Sequence, residues 1–205
     1  MPSVSDFQKI LHQATFQTSV PSVHKLTEDH GREVAFVGRS NSGKSSTLNR
    51  LTQSKIARTS KTPGRTQAIN VFQLTSELRL IDLPGYGYAK ASKATKNAWP
   101  IMMSDYLSLR HSLCGLVIIM DIRHPFKEID HWIMDWCSKS QMPSHIVLNK
   151  ADKMSFGQAK QIYLNLTKEL KRYNTTATIF SAQKGTGVEE VIMTVENWLV
   201  NKSSS

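Results

Sequence analysis

The sequence predicts an α/β fold: a mostly parallel six-stranded sheet with one antiparallel strand and helices on both faces. Three observations predict it. Short apolar runs alternate with stretches of helical period. Two of those runs, 69–74 and 78–83, are joined by too few residues for a crossover helix and must form a hairpin. A loop carrying glycines separates the apolar run 34–37 from the helical stretch 45–51.

Taken in order, residues 1–25 read as an N-terminal arm with one apolar group, Phe7, Ile10 and Leu11, able to pack as a helix. Strands are expected at 34–38, 69–74, 78–83, 116–121, 145–149 and 176–181. Helices are expected at 45–51, near 97–111 and near 127–139. Two more follow from apolar spacing: Ala159, Ile162, Tyr163, Leu166 and Leu170 share one face, as do Val188, Val191, Ile192, Val195, Trp198 and Leu199. The aromatics on those faces are expected in the core. One domain over 26–200 accounts for these elements, with 201–205 as a disordered tail. His12, His24 and His30 lack metal-ligand spacing and read as surface or loop residues.

A chain of 205 residues, 40% hydrophobic and 20% charged, can bury a core and is neither a disordered nor a fibrous sequence. Its longest strongly apolar run, 115–120, is far short of the roughly 20 residues a membrane helix needs. Neither a secretory signal nor a transit peptide is expected, because the first thirty residues lack a basic segment followed by an apolar block. Cys114 and Cys137 are too few for a disulfide framework or a zinc site, so buried thiols and a cytoplasmic location are expected. The net charge of +10 is uneven: between 34 and 104 only Glu77 and Asp82 oppose eleven basic residues. Such a face attracts polyanions, unless it is an ordinary solvated surface partly offset by a bound nucleotide.

Gly38-Arg39-Ser40-Asn41-Ser42-Gly43-Lys44-Ser45 fits G-x-x-x-x-G-K-[ST] between a strand and a helix. The glycines let backbone amides close around phosphate oxygens, and the helix start adds partial positive charge. Lys44 is placed to reach the β and γ phosphates, and Ser45 to ligate Mg²⁺. Asp82-Leu83-Pro84-Gly85 fits D-x-x-G: Asp82 would hold Mg²⁺ through water, and the Gly85 amide would face the γ-phosphate. Upstream, Thr62-Pro63-Gly64-Arg65-Thr66-Gln67 is either a plain turn or a switch loop whose Thr66 supplies a second Mg²⁺ ligand.

Base identity comes from Asn149-Lys150-Ala151-Asp152. The Asp152 carboxylate can accept two hydrogen bonds from the N1–H and N2 amine of guanine, a donor pair adenine lacks, so ATP would leave it unpaired. Lys150 can lay its alkyl stem over the base, and Asn149 can tie this loop to the phosphate loop. Ser181 and Ala182 sit where a backbone amide could meet guanine O6.

The ordered set GRSNSGKS, TPGRTQ, DLPGYGYA, DIRHP and NKAD, preceded by GREVAFVG and followed by FSAQKGTGVEE, resembles the EngB (YihA/YsxC) family of bacterial ribosome-assembly GTPases. The resemblance runs from about residue 26 to 199. It implies a P-loop GTPase G domain that binds GTP and GDP with Mg²⁺ and helps the large ribosomal subunit mature, with a link to cell division and septation. It places the phosphate loop on Gly38 to Ser45 with Ser46 following, and the switch on Gly64, Arg65 and Thr66. Its Mg²⁺-side aspartate falls on Asp82 and its guanine aspartate on Asp152. Asn149 stands where many members have Thr.

Lys44, Asn41 and Thr66 are the expected catalytic residues. Tyr86 occupies the position after Gly85 where many small GTPases keep a water-orienting Gln, so unassisted turnover should be slow, on the order of 10⁻⁴ s⁻¹. Asn41 stands where similar GTPases help hold a K⁺ ion; stabilising the loop is the other role open to it. Lys90, Lys93 and Lys96, with Arg58, Lys61 and Arg65, form either an rRNA-binding surface set by the nucleotide or a solvated face. His124 is read as fixing its loop or as catalytic. The expected partners are precursors of the large ribosomal subunit, through rRNA or ribosomal proteins, and the expected state is a monomer. Two other functions are open to the sequence: a regulator that binds a protein partner with little turnover, and a metabolic kinase using ATP, which Asp152 disfavours.

Overall fold

The computed structural model describes residues 4–26, 28–57, 68–87, 93–173 and 175–201. Its sheet has seven strands, β1 (Thr15–Val20), β2 (Arg32–Gly38), β3 (Ile69–Gln73), β4 (Leu78–Asp82), β5 (Leu113–Asp121), β6 (Ser144–Asn149) and β7 (Thr175–Ile179). They lie in the order β1-β3-β4-β2-β5-β6-β7. β3 pairs antiparallel with both β1 and β4, and every other pair is parallel, so β3 alone runs against the rest. The expected hairpin and single reversed strand are therefore present. The strand count is one higher than expected, because Thr15–Val20 adds an edge strand that buries only Val20.

Six helices, α1 (Val4–His12), α2 (Lys44–Thr52), α3 (Lys93–Leu109), α4 (Glu128–Lys139), α5 (Phe156–Leu170) and α6 (Val188–Val200), cover both faces. Alternation along each strand decides which face a residue feeds. Ala35 and Val37 of β2 and Ile118 and Met120 of β5 meet α3, α4 and α5. Val34, Phe36, Val117 and Ile119 meet α1, α2 and α6. Central strands buried on both faces read as continuous apolar runs, which made them legible. The apolar group near the N-terminus does pack as a helix, with Phe7 and Leu11 fully buried in the second cluster. Tyr163 and Trp198 are half-buried against the two cores. Trp198 lies so close to β5 that a Cβ on Gly115 would sit 2.2 Å from its ring.

α3 begins earlier than expected, at Lys93, and Pro100 lies inside it on the solvent side. α5 opens with a capping box between Ser155 and Gln158. Cys137 is buried, and burial pushes its thiol up to about 12, whereas Cys114 is only half-buried. Among the described residues no helix is long and apolar enough to cross a membrane.

At the amino end of the parallel strands lies a buried charge cluster. Glu33 is fully buried and accepts from the Tyr106 hydroxyl at 2.7 Å and from Arg110 Nε and Nη2 at 3.0 Å each. Arg79 lies 3.6 Å from the same carboxylate and also donates to the His30 carbonyl. The cluster fastens α3 and the chain entering β2 to the sheet, leaving the opposite, carboxyl end for the loops that carry the motifs.

Candidate nucleotide-binding site

Every described motif residue gathers at the carboxyl ends of β2, β4, β5, β6 and β7, where an open α/β sheet offers its ligand crevice. After β2 the chain turns through residues 39–43. The Ser42 amide donates to the Arg39 carbonyl at 3.0 Å, and a short parallel bridge joins Arg39 to Tyr86, with the Ser40 amide donating to Tyr86 O at 2.7 Å and the Tyr86 amide to Gly38 O at 3.3 Å. Gly43 is the N-cap of α2 with φ 97°, and a Cβ there would lie 2.1 Å from Asn149 Nδ2. Only glycine meets both demands. The first helical bond of α2 runs from Thr47 N to Gly43 O at 2.8 Å, so the amides of Gly43, Lys44, Ser45 and Ser46 precede it and point out of the helix start. That is an anion site by construction.

Lys44 Nζ is hydrogen-bonded to Asp82 Oδ1, and Asn70 Nδ2 holds Asp82 Oδ2 at 3.1 Å. Ser45, the next residue of α2, is half-buried. Among the described residues the buried hydroxyls of Ser42 and Thr47 have no hydrogen-bond partner. Among the described residues no group of three or more His, Cys, Asp or Glu could hold a metal. One carboxylate and one hydroxyl beside a phosphate cradle is instead the hard-oxygen donor set that suits Mg²⁺, which takes its remaining ligands from phosphate and water. The residues fit the ion: Ser45 and Asp82 would hold it, and it would neutralise charge on the β and γ phosphates. Thr66, the expected second ligand, lies outside the described residues, as do Gly64 and Arg65, and with them Thr62, Arg58, Lys61, Tyr88 and Lys90.

Leu83 and Pro84 are buried and Gly85 is half-buried. Tyr86 points away from the phosphate loop: its ring is 2% exposed, its hydroxyl bonds Asp130 of α4, and it packs 4.9 Å from Trp99. Trp99 Nε1 in turn donates to Pro84 O at 2.7 Å. Tyr86 is thus core and cannot take the place of a water-orienting carboxamide. The Asn41 side chain is exposed on a residue with φ 63°. Among the described residues that side chain has no hydrogen-bond partner.

The base end is wired through Asn149, which is 2% exposed. Its Nδ2 donates to Ser42 O of the phosphate loop at 2.9 Å, and its Oδ1 accepts from Lys150 N at 2.8 Å and Ala182 N at 3.3 Å. The expected tie between the two loops is present. Asp152 accepts from the Ser181 hydroxyl at 2.6 Å and lies 3.3 Å from Lys153 Nζ. The Ser181 hydrogen bond holds the Asp152 carboxyl below its ordinary value, so it stays an acceptor at neutral pH. Ser181 N is already engaged by Thr186 O at 3.0 Å, which leaves the long-bonded Ala182 amide as the one the pair can turn toward a base.

Two residues escaped the sequence reading. Asn70 braces Asp82, and Asp121 accepts from Lys150 Nζ at 2.9 Å and from Arg123 Nε and Nη2 at 2.9 and 2.7 Å. Burial opposes the Asp121 charge, but these hydrogen bonds outweigh it and hold the carboxyl well below the usual carboxylate range. Arg123 is committed to that pair, whereas the His124 amide donates to Asp121 O at 2.9 Å, a loop-fixing contact. A cavity of about 510 Å³ along the open edge of β7 touches Asp152 but no phosphate-loop residue, so it is not the phosphate site.

Comparison with known proteins agrees with this geometry. A probable GTP-binding protein EngB superposes with a TM-score of 0.68 at 20% identity, covering 83% of this chain and 100% of the other. Era from Aquifex aeolicus bound to GDP and AlF₄⁻ gives 0.63 at 23% identity over 83% of this chain, which spans 57% of that protein. Era in complex with MgGDPNP and a 16S ribosomal RNA segment gives 0.63 at 22% identity, covering 87% and 60%. At these identities the likeness shows the fold. The sequence itself also matches, over residues 33–150, the family described as 50S ribosome-binding GTPase. The chain therefore belongs to the 50S ribosome-binding GTPase family, and it is a GTP-binding P-loop GTPase domain.

Proposed function

We propose that this chain is an EngB-type, GTP-controlled factor in assembly of the large ribosomal subunit. The single observation that carries the nucleotide half of this reading is the Asn149 carboxamide, which joins the phosphate loop to the guanine-reading loop as one unit. The ribosomal half rests on the family description and on the charge of +10. The Era structure holding a piece of 16S ribosomal RNA is a neighbouring case.

In this reading the amides of Gly43 to Ser46 and the Lys44 ammonium bind the phosphates, while Asp152 accepts from the base. Lys44 exchanges its bond to Asp82 for phosphate oxygens, which frees the Asp82 carboxylate for the metal side. The Gly85 amide, held next to the phosphate loop by the Tyr86 bridge, senses the γ-phosphate, and Thr66 would supply a second Mg²⁺ ligand. With Tyr86 turned into the core, no carboxamide follows Gly85 to orient water. Turnover by the chain alone is therefore slow, on the order of 10⁻⁴ s⁻¹, and waits for a partner or for K⁺ at Asn41. Equal turnover in K⁺ and Na⁺ buffers would remove the K⁺ role. A monomer in the cytoplasm, linked to division through ribosome supply, completes the proposal.

The test is co-sedimentation of the intact protein with large-subunit precursors. Binding in GTP but not GDP, weakening steeply with salt, is expected. Equal binding with both nucleotides, or affinity flat in salt, contradicts it.

A further inference from the structure

The end of β5 carries a group that neither the motifs nor the family assignment explains. Asp121 is the last residue of β5 and sits in parallel register beside Asn149. The Ile122 amide donates to Asn149 O at 2.9 Å, so the two strand ends are locked together. Lys150 follows in a left-handed conformation, φ 67°, which turns its side chain back across the site. Its ammonium reaches two acceptors at once, the Asn41 carbonyl of the phosphate loop and Asp121 Oδ2 at 2.9 Å. Asp121 is itself gripped by Arg123 through both Nε and Nη2, and by the Arg123 amide at 3.1 Å.

We propose that Asp121 is a positioning residue for the guanine nucleotide, acting through Lys150. The inference rests on the nucleotide reading above. Lysine has a flexible four-carbon stem, and ordering it costs conformational entropy. Asp121 meets that cost before any ligand arrives: it pins the ammonium so that the stem stands as a fixed wall between the phosphate loop and the base loop. The side chains of Asp121 and Lys150 are 16% and 26% exposed, so the pair is sheltered enough to matter, unlike an open surface ion pair. Without Asp121 the ammonium keeps only the Asn41 carbonyl and is free to swing into solvent. Arg123 has the supporting part: it fixes the carboxylate and offsets a negative charge that would otherwise face the phosphates of the nucleotide.

The experiment is equilibrium titration of the intact chain with a fluorescent GDP analogue, comparing wild type, Asp121→Ala, Asp121→Asn, Lys150→Met and the Asp121→Ala/Lys150→Met double variant. Asp121→Ala should weaken GDP binding about tenfold, the scale of a charge-assisted hydrogen bond. Turnover at saturating GTP should stay within about twofold of wild type, because only binding is lost. In the Lys150→Met background the same change should cost nothing further, since the two act as one unit. Asp121→Asn, isosteric and so least disturbing to the fold, should lose affinity in the same direction without lowering the melting temperature of the nucleotide-free protein. Unchanged GDP affinity in both Asp121 variants overturns the positioning role, as does an Asp121→Ala loss that persists in full on Lys150→Met. If wild type itself fails to bind GDP, the nucleotide reading falls and takes this inference with it.

Discussion

The two halves of the site are built on opposite principles. In the base half every key side chain already has a protein partner: Asn149 on Ser42, Lys150 on Asp121, Asp152 on Ser181. In the phosphate half the polar groups are only partly matched. Among the described residues the Ser42 and Thr47 hydroxyls are buried without a partner, and the amides of the first turn of α2 have no acceptor within the helix. The difference teaches how such a site divides its labour. A base must be told from its competitors by rigid, prepaid hydrogen bonds, because discrimination comes from what a wrong base leaves unpaired. A phosphate group needs no such reading. It needs donors and positive charge that become satisfied on contact.

Breaking the phosphate half should have the largest effect. Lys44→Ala removes the one ammonium at the start of α2 and should weaken GTP binding by about a hundredfold or more, measured by nucleotide titration. Next, Asp152→Asn replaces an acceptor by a group that also donates. Guanine affinity should fall by about a hundredfold while xanthine nucleotides, whose C2 carbonyl needs a donor, gain; retained GTP selectivity would show the base assignment to be wrong. Asn149→Ala cuts the link between the halves and should weaken GDP about tenfold, with a stability loss of about 2 kcal/mol from the buried partners left unpaired. Chemical denaturation and titration of the same variant separate the two effects.

The smallest effect on nucleotide affinity, none, is expected at the far end of the strand that carries the base loop. His145 of β6 is 3% exposed, bonds Thr176 Oγ1 at 2.7 Å through Nδ1 and, among the described residues, leaves Nε2 without a partner. Burial lowers its pKa from 6.5 to about 4. The unfolded chain therefore takes up a proton at higher pH than the folded one. The stability contribution is complete above the unfolded value of 6.5 and is lost as pH falls toward 4. The ceiling on that loss is about 3 kcal/mol. His145→Gln should flatten the pH dependence of unfolding across that window and leave GDP affinity unchanged, which would confine nucleotide recognition to the carboxyl end of the sheet.

What the sequence made legible follows the same physics. Strands β2 and β5 were visible because both of their faces are buried, and the phosphate and base motifs because a ligand constrains their residue types. β1 was not visible: its residues alternate Thr, Phe, Gln, Thr and Ser at the sheet edge, and Phe16 is 55% exposed, so no hydrophobic period marks it. Asn70 and Asp121 were missed for another reason. Asn70 pairs with Asp82 across the antiparallel β3–β4 ladder, and Asp121 lies beside Asn149 across β5 and β6. Their roles arise from register between strands, across a hairpin for Asn70 and between two parallel strands joined through α4 for Asp121, which no motif spacing encodes. Tyr86 shows the converse: the motif marked its position as lacking a water-orienting carboxamide, and the structure spends its hydroxyl on buried Asp130.

A structure of the intact protein with GDP and Mg²⁺ tests the central claim most directly. The account predicts the phosphates on the amides of Gly43 to Ser46 and, in the same molecule, the guanine N1 and N2 within hydrogen-bond distance of the Asp152 carboxylate. A base directed away from Asp152 while the phosphates occupy the start of α2 would contradict it.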